Sequence, residues 1–221
     1  MNRNIAIDGP AGAGKSTIAR RVAERLGFVY VDTGAMYRAI GIYMLDHGVG
    51  KEDKEAVGQA LEEISIELRY VDGQQQVLLN GVLLGDRLRS EEAGMAASDF
   101  APLPMVREKL LKLQQDLAAK MDVVMDGRDI GTKVLPDAAC KIYLTASSRE
   151  RAQRRFLELK EKGQTADLDQ IEQDIKARDE QDMNREVSPL RQAEDAVLVD
   201  TSRMGIEEVT ERILEIAANG S

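Results

Sequence analysis

The chain has 221 residues, a formal net charge of −9, one cysteine, one histidine and no tryptophan. That length fits one α/β domain carrying an insertion, and 43% hydrophobic with 31% charged residues is ordinary for a globular protein with a buried core. The balance excludes several classes: no run approaches the ~20 apolar residues of a membrane span, the acidity argues against a large nucleic-acid footprint, and one Cys beside one His cannot build a protein-ligated zinc site. The N-terminus enters the first apolar segment within a few residues, so the expected compartment is the cytosol.

The first predicted strand, Ile5–Ile7, runs directly into Gly9, Pro10, Ala11, Gly12, Ala13, Gly14, Lys15, Ser16 and Thr17, and a helical pattern follows. This is a phosphate-binding loop of the Gly-x-x-x-x-Gly-Lys-Ser form. Its glycines let successive N–H groups turn inward on an anion, and the helix N-terminus adds partial positive charge. Lys15 is expected on the β/γ-phosphates and the Ser16 hydroxyl on Mg²⁺, with Thr17 as an alternative. The expected ligand is therefore a nucleoside triphosphate.

Further apolar segments at Phe28–Val31, Val123–Met125, Lys141–Leu144 and Ala196–Val199 alternate with helical ones, predicting a five-stranded parallel sheet flanked by helices. Apolar stripes at Val106, Leu110, Leu113, Leu117 and Met121, and at Ile206, Val209, Ile213 and Ile216, predict two core-facing helices, the second closed by Asn219-Gly220. Cys140 reads as a small core residue and His47 as a helix-end residue. Between these lies Ile64–Tyr70, alternating apolar and polar, then Asp72-Gly73, Val77–Leu79, the turn signal Asn80-Gly81 and Val82–Leu84. Residues 63–88 thus predict a three-stranded antiparallel insert. The polar stretch Glu161–Asp169 predicts a loop.

The second and third strands end in Asp32-Thr33-Gly34 and Met125-Asp126-Gly127-Arg128-Asp129, at the edge where open α/β sheets hold ligands. Arg149, Arg151, Arg154 and Arg155 crowd one helix start, and Arg178 and Arg185 lie seven residues apart on one helical face. Guanidinium forks bind phosphate bidentately, and a site for a triphosphate plus a second phosphate needs several; Arg38, Arg107, Arg128, Arg178 and Arg185 are the candidates. A phosphate monoester is already largely dianionic at neutral pH and attacks without a base. An arginine-rich, histidine-poor kinase therefore suits a phosphate acceptor, although Asp129 could serve as base toward an alcohol. The composition leaves both open, together with a regulatory NTPase.

The segments Ile5–Thr17, Val31–Arg38, Asp126–Thr132, Leu135–Ala138 and Arg178–Arg185 resemble, in this order, those of bacterial cytidylate (CMP/dCMP) kinases. The resemblance implies a core over 1–36, 102–150 and 190–221, a monophosphate-binding lobe over 37–101, and lid and clamp helices over 151–189. It implies ATP·Mg²⁺ on Gly9–Thr17 and transfer to CMP or dCMP. Arg38 and Arg128 would hold the acceptor 5′-phosphate with Arg178, and Thr33, Arg107, Asp129 and Arg185 would read cytosine. Ser98 and Asp182, again with Arg178, would contact the sugar. Asp129 suits the base, because cytosine presents an exocyclic amine where uracil presents a carbonyl. Arg151, Arg154 and Arg155 would close over the transferring phosphoryl group, with Lys15, Arg128, Arg154 and Arg155 as catalytic charges. The chain departs from some relatives at Thr33, where they carry serine, and at Gln181, where they carry arginine. Small-molecule nucleotides are the expected partners of a monomer, with no nucleic acid or membrane.

Overall fold

The computed structural model describes residues 3–71 and 73–219. The apolar segments form β1 (Ile5–Asp8), β2 (Val29–Asp32), β6 (Val123–Gly127), β7 (Cys140–Thr145) and β8 (Val197–Asp200), one all-parallel sheet in the order β2-β6-β1-β7-β8. β1 and β6 are buried along their whole lengths, because helices cover both faces and every residue must be apolar or internally bonded. Those helices include α1 (Lys15–Leu26), α2 (Thr33–Asp46), α5 (Pro104–Lys120) and α8 (Ile206–Asn219).

Two apolar clusters sit on opposite faces. One joins Val31, Met125, Met36, Ile40, Val106 and Leu110, and the other joins Ile7, Val124, Ile142, Ile18, Val22 and Ile213. Cys140 is buried in the second, as its surroundings in the sequence predict. The α8 stripe holds for Val209 and Ile213, but Ile206 is half exposed and lines a cleft instead of the core. Gly220, expected to close this helix, lies outside the described residues.

The insert forms as a separate antiparallel sheet of β3 (Ile66–Val71), β4 (Gln74–Leu79) and β5 (Val82–Leu83). It begins two residues later than the alternation suggests, because α3 (Lys54–Glu63) ends at Ile64, which is buried. Asn80 and Gly81 both take positive φ, 50° and 79°, as a tight hairpin turn with matching twist requires. Asp72, expected in the preceding turn, lies outside the described residues. A 3₁₀ turn (Gly85–Arg89) leads into α4 (Glu91–Phe100), which packs on α2. Helices α6 (Ser148–Glu161) and α7 (Leu168–Asn184) form a pair, and the stretch between them is the predicted polar loop. Among the described residues no helix is long and apolar enough to cross a membrane.

All five parallel strands deliver their C-terminal ends to one edge, and the loop after β1 depends on Gly9. Its φ is +149°, and a Cβ there would lie 1.9 Å from the Leu144 carbonyl oxygen on β7. Only glycine lets the loop leave β1 this close to a neighbouring backbone. We predict that Gly9→Ala costs about 2–3 kcal/mol in urea denaturation; an unchanged midpoint would refute this packing argument.

Candidate functional site

A cleft of about 760 Å³ opens along this edge, lined by Ala11–Ile18, the start of α2, the later part of α4, the segment after β6, α7 and the segment entering α8. Its donor half is the phosphate-binding loop. Gly12 and Gly14 take φ of 74° and 89°, and Gly14 caps α1 in the left-handed region, which turns the loop amides inward. Gly9 and Pro10 sit beneath the lining rather than in it. The Lys15 ammonium is buried and donates to the Pro10 carbonyl at 2.7 Å. Withdrawal from water, then the charge of Arg128, lowers its pKa to about 7 against the opposing pull of Asp126 and Asp8. A polyphosphate at this loop would restore the cation.

Under the loop, the Ser16 hydroxyl donates to Asp126 Oδ2 at 2.9 Å, and the Tyr30 hydroxyl donates to Oδ1 at 3.0 Å. The Thr33 hydroxyl donates to the Asp126 carbonyl at 2.7 Å. Asp8, at the end of β1, accepts from the amides of Ile130 and Gly131, each at 2.7 Å, and so fixes the π-helical turn that follows Asp129. Burial raises both Asp126 and Asp8 to about 6, with Asp32 adding to the first and Asp129 to the second. Sequence reasoning placed neither carboxylate in the site. Their position at the ends of buried strands beside the loop was the available signal.

The acceptor half is a ring of paired and unpaired charges. Arg107 is buried, donates to Asp129 and, at 3.1 Å, to the Ala101 carbonyl, and its guanidinium lies 5.5 Å from the Tyr37 ring centre. Arg185 approaches Asp129 at 3.9 Å and Asp182 at 3.7 Å, leaving its Nη2 buried without a hydrogen bond. Arg128 donates to Asp182 at 2.9 Å and Arg38 to Asp32 at 3.1 Å. Arg178 makes no ion pair among the described residues; withdrawal from water, then the neighbouring charge of Arg128, lowers its pKa. Thr33, Ser98 and Gln181 also line the cleft. Thus Thr33, Arg38, Ser98, Arg107, Arg128, Asp129, Arg178, Asp182 and Arg185, scattered over 153 positions of sequence, converge on one cavity. Tyr37, Ala97, Pro102 and the Thr201–Ile206 segment line it as well; being apolar, small or isolated, they carried no recognisable pattern.

The three arginines expected over the phosphoryl group separate. Arg154 reaches the cleft and donates to the Thr201 carbonyl at 2.9 Å. Arg155 points away, pairing with Glu158 at 3.2 Å and Glu91 at 3.5 Å, outside the lining. Arg151 departs from the expected role over the phosphoryl group. It is buried and holds Asp179 with both terminal nitrogens at 2.9 and 2.5 Å, the Ala11 carbonyl at 3.0 Å and the Ala146 carbonyl at 3.0 Å. With these four bonds it ties the phosphate loop to α7.

This core, loop and two-part cleft define a P-loop kinase architecture. A family model described as cytidylate kinase matches residues 5–219. The chain is 52% identical over 213 residues to the cytidylate kinase of Caldicellulosiruptor saccharolyticus, covering 96% of this chain and 94% of that one. It is 49% identical over 218 residues to that of Shouchella clausii, covering 99% and 97%. An uncharacterised protein from Eubacterium ventriosum shares the fold at a TM-score of 0.53 and 13% identity over 99% of each chain. The chain belongs to the cytidylate kinase family.

The buried carboxylates have a pH consequence. Between pH 4 and 6 the folded protein keeps a proton on Asp126 that the unfolded chain, with an ordinary pKa of 3.8, releases. The cost of holding the ionised group is therefore complete above about pH 6 and vanishes toward pH 4. Relative to wild type, Asp126→Asn should gain roughly 1–3 kcal/mol between pH 4 and 7. Urea denaturation of both proteins across that range would show a constant difference if the carboxylate were not strained.

Proposed function

We infer that this protein transfers the γ-phosphoryl group of ATP to CMP or dCMP, giving CDP or dCDP, a reaction of pyrimidine nucleotide metabolism. Family membership supports this reading, and the observation that carries it is the acceptor half, where an Arg107–Asp129–Arg185 cluster adjoins Arg38, Arg128 and Arg178. The Asp129 carboxylate, held between two guanidiniums, accepts from the cytosine amine, while the uracil carbonyl would meet it as a like charge. The three remaining arginines offer forks for the acceptor phosphate, and Arg178, with no ion pair among the described residues, is the cheapest to recruit.

The acceptor oxygen needs no general base, so this chain's contribution is positioning and charge. Lys15 and Arg154 face the donor phosphates from the loop and from α6, and Arg128 stands between donor and acceptor. Ser98 and Asp182, with Arg178, are assigned to the sugar and Thr33 to the base. We assign 37–101 as the acceptor lobe, 151–189 as lid and clamp, and the remainder as core. The Ser16 hydroxyl beside the Asp126 carboxylate fits Mg²⁺, a hard cation that takes few protein oxygens and leaves the rest to phosphate and water. When bound, the ion neutralises charge on the donor phosphates. Ser16 suits this role better than Thr17, which makes no such contact with Asp126. Arg155, paired at the surface, reaches the phosphates only after a movement of α6. Both half-sites come from one chain, so we take a cytosolic monomer as the working unit.

The test is a coupled ADP-release assay with CMP, dCMP, UMP and AMP. Turnover should require CMP or dCMP; folded protein with no CMP-dependent turnover overturns the assignment. Asp129→Ala should raise KM for CMP by roughly tenfold or more and narrow the preference over UMP, with ATP binding retained. Loss of ATP binding would move Asp129 to the donor half.

A further inference from the structure

The antiparallel insert hydrogen-bonds to the parallel sheet through the side chain of Gln75, in an unusual pattern. β2 is an edge strand, paired only with β6. At its last residue, Asp32, the backbone N–H donates to Gln75 Oε1 at 3.0 Å, and Gln75 Nε2 donates to the Asp32 carbonyl at 3.3 Å. The primary amide of Gln75, on β4, thus pairs with both backbone groups of Asp32 as another strand would, and it closes the edge. The insert's own register sets Gln75 opposite Tyr70.

Asp32 has further duties. Its Oδ1 accepts from the Ala35 amide at 2.9 Å and caps α2. Its Oδ2 accepts from Arg38 Nη2 at 3.1 Å, which is the ion pair that Arg38 makes among the described residues. The Nε of Arg38 is buried with no hydrogen-bond partner, so the direction of that guanidinium is set by Asp32. The line of bonds runs from Gln75 through the Asp32 backbone and carboxylate to Arg38, at the cleft wall.

We propose that Gln75 is a positioning residue for the acceptor phosphate, acting through Asp32 on Arg38. This rests on the assignment of Arg38 to that phosphate. It gives the insert a task in the reaction: β4 sets the aim of a phosphate-binding arginine that lies on another element. Gln75 itself does not line the cleft. A shift of β4 against β2 would alter the acceptor site and leave the donor loop as it is.

The experiment is steady-state kinetics with ATP, Mg²⁺ and CMP on wild type, Gln75→Met, Gln75→Glu, Arg38→Ala and the Gln75→Met/Arg38→Ala double variant, with urea midpoints for each. Methionine keeps the length and loses both hydrogen bonds; glutamate keeps the acceptor and loses the donor. Gln75→Met should raise KM for CMP by roughly 5- to 10-fold, and Gln75→Glu should move it in the same direction. The kcat and the KM for ATP should stay within about twofold. In the Arg38→Ala background, Gln75→Met should have no further effect on KM for CMP, which a purely structural role would not produce. An unchanged KM for CMP, equal rises in both KM values, or additivity with Arg38→Ala overturns the proposal. If the methionine variant does not fold, the glutamate variant decides by the same readouts. A wild type without CMP turnover overturns the functional reading itself, whereas normal wild-type turnover beside an unaffected variant overturns only the role of Gln75.

Discussion

Both halves of the cleft hang on Asp126, the penultimate residue of β6. Its carboxylate accepts from Ser16 of the donor loop and from Tyr30 of β2, and its carbonyl accepts from Thr33 at the start of α2. β6 lies between β1 and β2, so this residue bonds the segment after β1 through its carboxylate and the helix after β2 through its carbonyl. Holding a carboxylate here is unfavourable without water, and its raised pKa records that cost. The arrangement persists because two hydroxyl donors converge on the carboxylate, and because a nearby cation would repay the rest.

The same balance of cost and compensation runs through the acceptor half. Arg107 and Asp129 are both buried and satisfy each other, so this pair is rigid. Arg38 Nε and Arg185 Nη2 are buried without a hydrogen-bond partner, and Arg178 lines the cleft with no ion pair among the described residues. A site built wholly from satisfied pairs would have nothing to offer a phosphate, and one built wholly from free arginines would repel itself open. Combining tight pairs such as Arg107–Asp129 with open guanidinium nitrogens holds the cleft together and leaves donors free. It also explains how a chain of net charge −9 binds polyanions: the total is set by exposed acidic helix faces, while the cleft concentrates arginine.

Arg151 and Arg155 show where a motif misleads. From sequence they are equivalent to Arg154, on one helix start in a run of arginines. A helix turns 100° per residue, so neighbours face different surroundings. Arg151 turns into the interface of α6, α7 and the phosphate loop, Arg154 toward the cleft, and Arg155 toward Glu91 and solvent.

The sequence by itself determined the parallel core, the phosphate-binding loop, the antiparallel insert and most of the charged residues that line the cleft. These depend on local rules: apolar periods of two and of 3.6 residues, glycines where φ must be positive, and residue types whose chemistry has few other uses. Tertiary structure alone decided which arginines are paired and which are open, that Asp8 and Asp126 lie under the site, and that Ile206 belongs to the cleft. It also decided that Gln75, a polar residue in an unremarkable strand, closes the edge of β2. Each of these depends on what lies opposite a side chain across a distance of tens of residues, and pairing across space leaves no period in the sequence.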